Sequence, residues 1–380
     1  MPDKNKKYRV FLSVAEPSAD AHCAGLITAL KEKRYDIEFI GVGGAKMASA
    51  GCTLLEDTVS KAVMMYKAFA HIAYFFRLIL RINRYLKKNN VDLVIVCDSP
   101  AFNFHIAKAA KNAGIKTLFY VAPQLWAWGQ WRIDKLRNCC SKLACILPFE
   151  QDWFSQKGLD AVFVGNPLLD EFDINLGRYR KNYTGFEPNS AKIALMPGSR
   201  AAEIKALWQP MQKIAVRLKR KYPGITLTAV AVDDKGKEIL KAGQIIGFRC
   251  KYIIGSVTDA ACQCDLSIVA SGSATLQVAA AGCPMVIMYQ SSRILWHLLG
   301  KWLLKTKNLS LVNILADRQL VPEFMPYFTS IEPIIESTQN LLKDRDRLTQ
   351  ISSELVDLAQ PLRTDNASEK VAEIAIEMLN

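Results

Sequence analysis

Asp98 is the residue best placed for acid–base chemistry, closing the apolar run Val91–Cys97 just before Ser99 and Pro100. A carboxylate at such a point, with a stiff proline two positions on, is suited to take a proton from an attacking hydroxyl. Asp98 equally suits the start of a helix around Phe104–Ala113, and both readings stay open on sequence alone. Two other turns carry phosphate chemistry. In Pro197-Gly198-Ser199-Arg200 a Gly-Ser turn before a helical stretch frees backbone N–H groups, and Arg200 adds a fork that fits two phosphate oxygens. Ser271-Gly272-Ser273-Ala274-Thr275 repeats the arrangement and offers hydroxyls and N–H groups as a second cradle.

Other clusters are less specific. Glu16-Pro17-Ser18-Ala19-Asp20 is a turn in which Ser18 or Asp20 suits a helix cap. Gly41-Val42-Gly43-Gly44 permits close backbone approach, yet the G-x-G-x-x-G fingerprint is not met, so a dinucleotide role has little support. Trp126, Trp128 and Trp131 lead into Arg132, and indole faces beside a guanidinium suit a sugar ring or acyl chain next to a phosphate. Core packing competes for either of the first two tryptophans. The one D-x-D, Asp344-Arg345-Asp346, lies in polar helical sequence and the four histidines have no ligand spacing, so neither metal nor cofactor is expected.

The charge balance points to the partner. Lys and Arg number 49 against 36 Asp and Glu, a net +13, which favours nucleic acid, a phosphorylated substrate or an anionic membrane. From Leu266 to Ala316 there is no acid, but there are Arg293, Lys301, Lys305 and Lys307. From Thr58 to Val91 there is again none, against seven Lys and Arg. Within it Arg77, Arg81, Arg84 and Lys88 share one helical face near Phe69, Ile72 and Phe76, as suits an anionic membrane surface or a lipid substrate. A solvated rim over a buried stripe is the competing reading. Val63–Ile82 is long enough to span a bilayer, but Lys67, His71, Arg77 and Arg81 sit in it, and a central charge costs roughly 2.5–3.5 kcal/mol. A transmembrane span is rejected, and the N-terminus does not read as a signal peptide. Ten scattered cysteines without C-x-x-C argue for buried thiols in a reducing compartment rather than zinc or disulfides. A cytoplasmic, soluble or peripheral protein is expected.

What positions these turns is a β–α rhythm in a chain of 380 residues, half of them apolar, a length comfortable for two domains. Strands are expected at Arg9–Val14, Ile37–Gly41, Asp92–Cys97, Lys116–Val121, Lys142–Leu147 and Ala161–Val164. A second series runs through Lys192–Met196, Thr226–Val232, Lys251–Ile254, Leu266–Ala270 and Pro284–Met288. These runs are continuously apolar, as in parallel strands covered on both faces, and predict doubly wound α/β sheets. Residues 170–190 are polar and lack sheet periodicity, so they read as a linker between two Rossmann-like halves. The halves expected are 1–170, completed by a C-terminal helix at about 355–380, and 190–350, facing a shared cleft.

The ordered motifs resemble those of the lipid-A-disaccharide synthases, glycosyltransferases of the two-Rossmann GT-B type, over nearly the whole chain. The matching stretches are EPSAD at 16–20, GVGG at 41–44, DSPAFN at 98–103, PQLWAW at 123–128 and LPFE at 147–150. VGNP at 164–167, PGSR at 197–200, SGSAT at 271–275 and SLVNILADRQLVPE at 310–323 continue the series. The resemblance implies an inverting enzyme joining UDP-2,3-diacylglucosamine to 2,3-diacylglucosamine 1-phosphate, giving a β-1,6 disaccharide and UDP. It implies Asp98 as base, and Gly198, Ser199, Arg200, Ser271, Gly272, Ser273, Gln277 and Asn313 around UDP. For the acceptor and its lipid it points to Glu16, Ser18, Asp20, Asn103, Trp126, Trp128, Arg132, Phe76, Arg77 and Arg81. It implies peripheral association with the inner membrane, and leaves the oligomeric state, a homodimer included, open. Ala15 and Ala19 stand where the family usually has glycine, Ala101 where it often has Asp, and Gln277 where it commonly has Glu.

Rival readings are another UDP-sugar enzyme of the same fold, such as a lipid-linked N-acetylglucosaminyltransferase or a UDP-N-acetylglucosamine 2-epimerase, and a non-enzymatic protein binding membrane or nucleic acid. An epimerase would carry more acidic and His residues after Ser271. Against nucleic acid, no binding module is seen and the basic residues cluster by sheet tips.

Overall fold

The apolar runs fold as parallel strands buried on both faces in the computed structural model, which describes residues 7–34, 36–64, 68–291 and 308–380. Side chains of 62–64 and 68–72, and with them Phe69 and Ile72, lie outside that description, as do Arg293, Lys301, Lys305 and Lys307. The chain divides into two compact units, residues 1–167 with 364–380, and residues 168–363.

In the first unit the described strands are β1 (Tyr8–Ser13), β2 (Ile37–Gly43), β3 (Thr53–Asp57), β4 (Leu93–Cys97), β5 (Lys116–Tyr120), β6 (Lys142–Cys145) and β7 (Ala161–Phe163). They form one parallel sheet in the order β3-β2-β1-β4-β5-β6-β7. The described helices between them are α1 (Pro17–Lys33), α2 (Ala45–Ser49), α3 (Thr58–Met64), α4 (Ala68–Lys88), α5 (Pro100–Asn112), α6 (Ile133–Arg137) and α7 (Pro148–Ser155). One sheet face packs Leu26, Ile27 and Leu30 of α1 with Val371, Ala372 and Ala375 from the end of the chain. The other packs Leu78, Ile82 and Leu86 of α4 with Ile106, Ala107 and Ala110 of α5. Burying each such leucine or isoleucine stabilises by about 1.5–3 kcal/mol, and the partly buried Tyr74, Phe75, Ile79 and Tyr85 of α4 pack against the same core. The outward face of α4 leaves Arg77, Arg81, Arg84 and Lys88 exposed, with Phe76 61% and Leu80 38% accessible. No helix among the described residues is long and apolar enough to cross a membrane.

In the second unit the described strands are β8 (Lys192–Met196), β9 (Thr226–Ala231), β10 (Lys251–Ile254), β11 (Leu266–Ala270), β12 (Met285–Met288) and β13 (Glu323–Phe324), ordered β10-β9-β8-β11-β12-β13 and again parallel. Around them run α8 (Ala201–Lys221), α9 (Asp234–Ala242), α10 (Val257–Gln263), α11 (Ala274–Ala280), α12 (Leu311–Leu315), α13 (Glu332–Lys343) and α14 (Arg345–Ala359). The last helix, α15 (Ala367–Leu379), returns to the first unit, where a Cβ on Gly25 of α1 would stand 2.9 Å from Ser368 Oγ. That close approach explains a glycine in mid-helix.

Two expectations about boundaries need correction. Residues 170–190 are not a free linker but a folded part of the second unit. Lys181 Nζ donates to the carbonyls of Ala261 (2.6 Å), Cys262 (3.0 Å) and Cys264 at the end of α10, and buried Tyr183 donates its hydroxyl to Asp265 O at 2.6 Å. A cation on terminal carbonyls opposes the negative end of the helix dipole. At the other end, the helix that completes the first unit starts beyond Arg363, because α14 stays with the second. All ten cysteines are free of disulfides, and seven are buried.

Candidate active site

In the first unit strand order reverses between β1 and β4: β2 lies on one side of β1 and β4 on the other. Ligands of open α/β sheets bind beyond the strand C-termini at such a switch point. The turn after β1 carries Glu16 and the turn after β4 carries Asp98, and Ser99 Oγ lies 3.4 Å from Glu16 Oε1 across the gap. Asp98 (φ 51) and Ser99 (φ 44) are both left-handed, a conformation uncommon outside glycine that Asp tolerates better than most. Asn103 holds them there. Fully buried in α5, its amide donates to the carbonyls of Asp98 (2.7 Å) and Cys97 (2.9 Å) and, longer, of Ser13 (3.3 Å). Ser13 Oγ donates back to Asn103 Oδ1 at 2.7 Å. The residue at the cap position is Ser99, not Asp98, and Asp98 is half-buried at the strand end.

Several residues expected at the acceptor have partners within the fold. Asp20, 4% exposed, accepts from the backbone N–H groups of Gly44 (2.8 Å), Lys46 (3.0 Å) and Met47 (3.2 Å) and so caps α2. A Cβ on Gly44 would lie 2.6 Å from that carboxylate, so this glycine makes room for Asp20 and not for a ligand. Asn103 has its hydrogen-bonding capacity spent on the Asp98 turn. Trp126 is buried, its Nε1 donating to Glu150 Oε1 at 2.9 Å and its ring edge-on to Phe149. Ser18, by contrast, is exposed, and so are Trp128 and Trp131. The Arg132 guanidinium stacks 4.3 Å above the Trp128 ring, and its buried Nε finds no hydrogen-bond partner among the described residues. A partly desolvated cation with an unspent donor invites an anion. Of the α4 residues, Arg81 pairs with Glu56 at 3.0 Å, whereas Arg77 has no such pair among the described residues.

Glu150 is the partner that the sequence reading missed, although it closes the LPFE motif. Burial pushes its carboxyl from 4.5 up to about 7, against the opposing pull of hydrogen bonds from Trp126 and Leu147. An acid raised on folding keeps its proton when the unfolded chain has lost it. Its stabilising contribution is therefore full below about pH 4.5 and falls by about 3 kcal/mol as pH rises to about 7. Glu150→Gln removes that slope. Urea unfolding at about pH 5 and about pH 8 should show wild type losing that much more stability than the variant. Parallel profiles would contradict the burial. The comparison cancels other groups, such as His22, which burial lowers to about 4.

In the second unit the switch point lies between β8 and β11, and the two phosphate-like turns follow those strands. The first departs from expectation. The N–H groups of Ser199 (3.1 Å) and Arg200 (3.3 Å) already donate to Glu203 Oε2, a capping box that closes the start of α8. Gly198 takes the left-handed turn (φ 104), and the Arg200 side chain extends 67% exposed, with Glu203 Oε1 3.4 Å away. The second turn is open. Ser271 N–H closes the sheet onto Met288 O, while those of Gly272 and Ser273 donate to no described residue, and nothing stands within 4 Å of where a Cβ on Gly272 would lie. Asn313 is held within the fold as Asn103 is. It is fully buried, donating to Val321 O (2.9 Å) and Glu323 Oε2 (2.8 Å) and accepting from Leu320 (2.9 Å) and Val321 (3.1 Å). Gln277, on α11, donates to Glu171 Oε1 at 2.8 Å. Glu171 lay in the supposed linker and carried no sequence signal.

A family model described as lipid-A-disaccharide synthetase matches residues 10–376. A lipid-A-disaccharide synthase of Geobacter sulfurreducens is 31% identical over 382 residues, covering 99% of this chain and 98% of its own. One from Syntrophus aciditrophicus is 32% identical over 379 residues, covering 97% of each. Among solved structures, a UDP-GlcNAc 2-epimerase from Neisseria meningitidis bound to UDP-GlcNAc superposes with a TM-score of 0.62 over 98% of this chain and 100% of its own. At 13% identity that likeness concerns the fold alone.

Proposed function

The chain belongs to the lipid-A-disaccharide synthetase family, a family of hexosyltransferases, and from that premise we propose how its residues divide the reaction. The substrates are UDP-2,3-diacylglucosamine and 2,3-diacylglucosamine 1-phosphate, and the products are UDP and the β-1,6-linked disaccharide 1-phosphate. Asp98 takes the proton of the acceptor 6-hydroxyl as that oxygen attacks the anomeric carbon. One displacement, with the new bond opposite the leaving UDP, inverts the anomeric centre. The observation that carries this reading is the left-handed, half-buried Asp98 turn, clamped by Asn103 at a sheet switch point. Charge developing on the diphosphate is met by the open N–H groups of Gly272 and Ser273 and by the extended Arg200. Arg132, stacked on Trp128, suits the acceptor phosphate. Incubation of labelled UDP-diacylglucosamine with and without acceptor tests the class: UDP release should depend on acceptor. Release or rearrangement without it would favour a hydrolase or epimerase.

The acceptor and donor are lipids, and the outward face of α4 is the surface we assign to the anionic cytoplasmic side of the inner membrane. Arg77, Arg84 and Lys88 are exposed with no ion pair among the described residues, beside exposed Phe76 and Leu80. Each cation near an anionic surface contributes about 1 kcal/mol. Changing these three to Glu should release the protein from phosphatidylglycerol-containing vesicles in sedimentation, with its melting temperature unchanged because all three face solvent. Undiminished sedimentation would remove α4 from the membrane contact.

A further inference from the structure

The segment between β5 and α6 carries Trp128 and Arg132, yet it contains no regular helix or strand before Gln130. What holds it is Trp126. The Trp126 ring lies edge-on to Phe149 with 4.9 Å between centroids, and its carbonyl accepts from Gln130 Nε2 at 3.4 Å. Its Nε1 donates to Glu150 Oε1 at 2.9 Å. Glu150 is 1% exposed, and its other oxygen, Oε2, accepts from the Leu147 N–H at 3.1 Å where α7 opens. The same segment seats a cation. Gly129 is left-handed (φ 79), and a Cβ there would stand 2.6 Å from Arg132 Nη2. The guanidinium therefore lies on the bare backbone of Gly129, 4.3 Å from the centre of the Trp128 ring.

A glutamine would fill the place of Glu150 without a buried charge, but it offers one acceptor oxygen where a carboxylate offers two. Both oxygens are used, one for the indole and one for the helix start. We propose that Glu150 is a positioning residue for the acceptor: through Trp126 it fixes the segment that presents Trp128 and Arg132 to the acceptor phosphate. The inference rests on the reading of Arg132 as the acceptor-phosphate cation. Ionisation of Glu150 then enters acceptor binding. Oε2 sits at the N-terminus of α7, where the helix favours negative charge, so an added proton settles on Oε1 and weakens its hold on the indole N–H. Burial places that exchange at about pH 7. No charged side chain contributes to it. From β6 the Cys145 thiol faces Glu150 and is held neutral by burial, Asp152 of α7 is exposed, and Trp126 and Phe149 carry no charge.

Steady-state kinetics on the full chain, with acceptor varied at saturating donor, tests the role. Glu150→Gln keeps the size of the side chain and fixes the pattern of the protonated acid. At about pH 8 it should raise the acceptor KM about tenfold, the lower end of what a hydrogen bond to a charged group is worth, with kcat and UDP affinity near wild type. Trp126→Phe, which keeps a ring and removes the N–H, should do the same, and the double variant should be no worse than either. The ratio of the Glu150→Gln KM to that of wild type should fall toward one as pH drops to about 6, because wild type then carries the proton that glutamine imitates. Titration of the acceptor phosphate and of other groups cancels in that ratio. A ratio of one throughout, a ratio that ignores pH, or additive losses in the double variant would each overturn the proposal. A purely structural Glu150 would lower the melting temperature and leave KM as it was. Arg132→Gln separates the underlying reading, since it should raise the acceptor KM at least as much as Glu150→Gln. If it does not, the acceptor reading fails and the positioning role falls with it. If it does while Glu150→Gln has no effect on KM, the positioning role alone is lost.

Discussion

Asp98→Asn leaves the fold and UDP affinity nearly intact and lowers turnover by at least about a hundredfold, the lower end of what a positioned base contributes. Three features make this the cleanest test of the base. Asn tolerates the left-handed conformation that residue 98 adopts (φ 51), so the turn survives the exchange. The backbone bonds that hold the turn, from Asp98 N–H to Tyr120 O at 3.1 Å and from Asn103 Nδ2 to Asp98 O at 2.7 Å, do not involve the carboxylate. Asn cannot take a proton at neutral pH, and an alcohol is a weak nucleophile until its proton begins to leave. The residues we propose for UDP, Arg200 and the 271–273 turn, are unchanged in this variant. Steady-state turnover, with UDP titrated separately, measures both quantities. Near-normal turnover would pass the role to Glu16, whose carboxylate lies 3.4 Å from the Ser99 hydroxyl.

Asn103→Ala should cost about 3 kcal/mol of stability and lower turnover as well, although no substrate need touch it. The substitution leaves the buried Ser13 hydroxyl without its acceptor and the carbonyls of Cys97 and Asp98 without their donor. Each buried group so orphaned costs about 1–3 kcal/mol, less whatever relaxation recovers. The strained pair at 98–99 then has less to hold it in the left-handed region. Misplacing a catalytic group by about 1 Å can cost on the order of a hundredfold. Thermal unfolding gives the first effect, and turnover measured well below the variant's melting temperature gives the second. Full activity in a folded Asn103→Ala would reduce the residue to core packing.

The β–α rhythm was legible because buried parallel strands are written as uninterrupted apolar runs, and each expected run contains a strand. The two strands that escaped are edge strands. Thr53–Asp57 ends in two acids and is only half-buried, and Glu323–Phe324 is two residues long. Residues 170–190 were misread because Lys181 and Tyr183 are anchored to carbonyls some eighty residues away, which no local period records. Among site residues, Asp98 was readable as the end of a central strand. Whether Asn103 and Asn313 face a ligand or saturate their own backbone depends on which turns surround them, and composition is silent on that. The spacing of Arg200 and Glu203 did carry a signal, since Glu at the third helical position marks a capping box.

The measurement that bears most directly on the central claim is the product itself. Purified protein is incubated with UDP-2,3-diacylglucosamine and 2,3-diacylglucosamine 1-phosphate, and the lipid fraction is taken for mass and for the coupling constant of the new anomeric proton. The account predicts a disaccharide 1-phosphate carrying the acyl chains of both substrates, one UDP for each linkage, and a β-1,6 bond. An α-linked product, a free sugar, or an isomerised UDP-sugar with the acceptor untouched would contradict it.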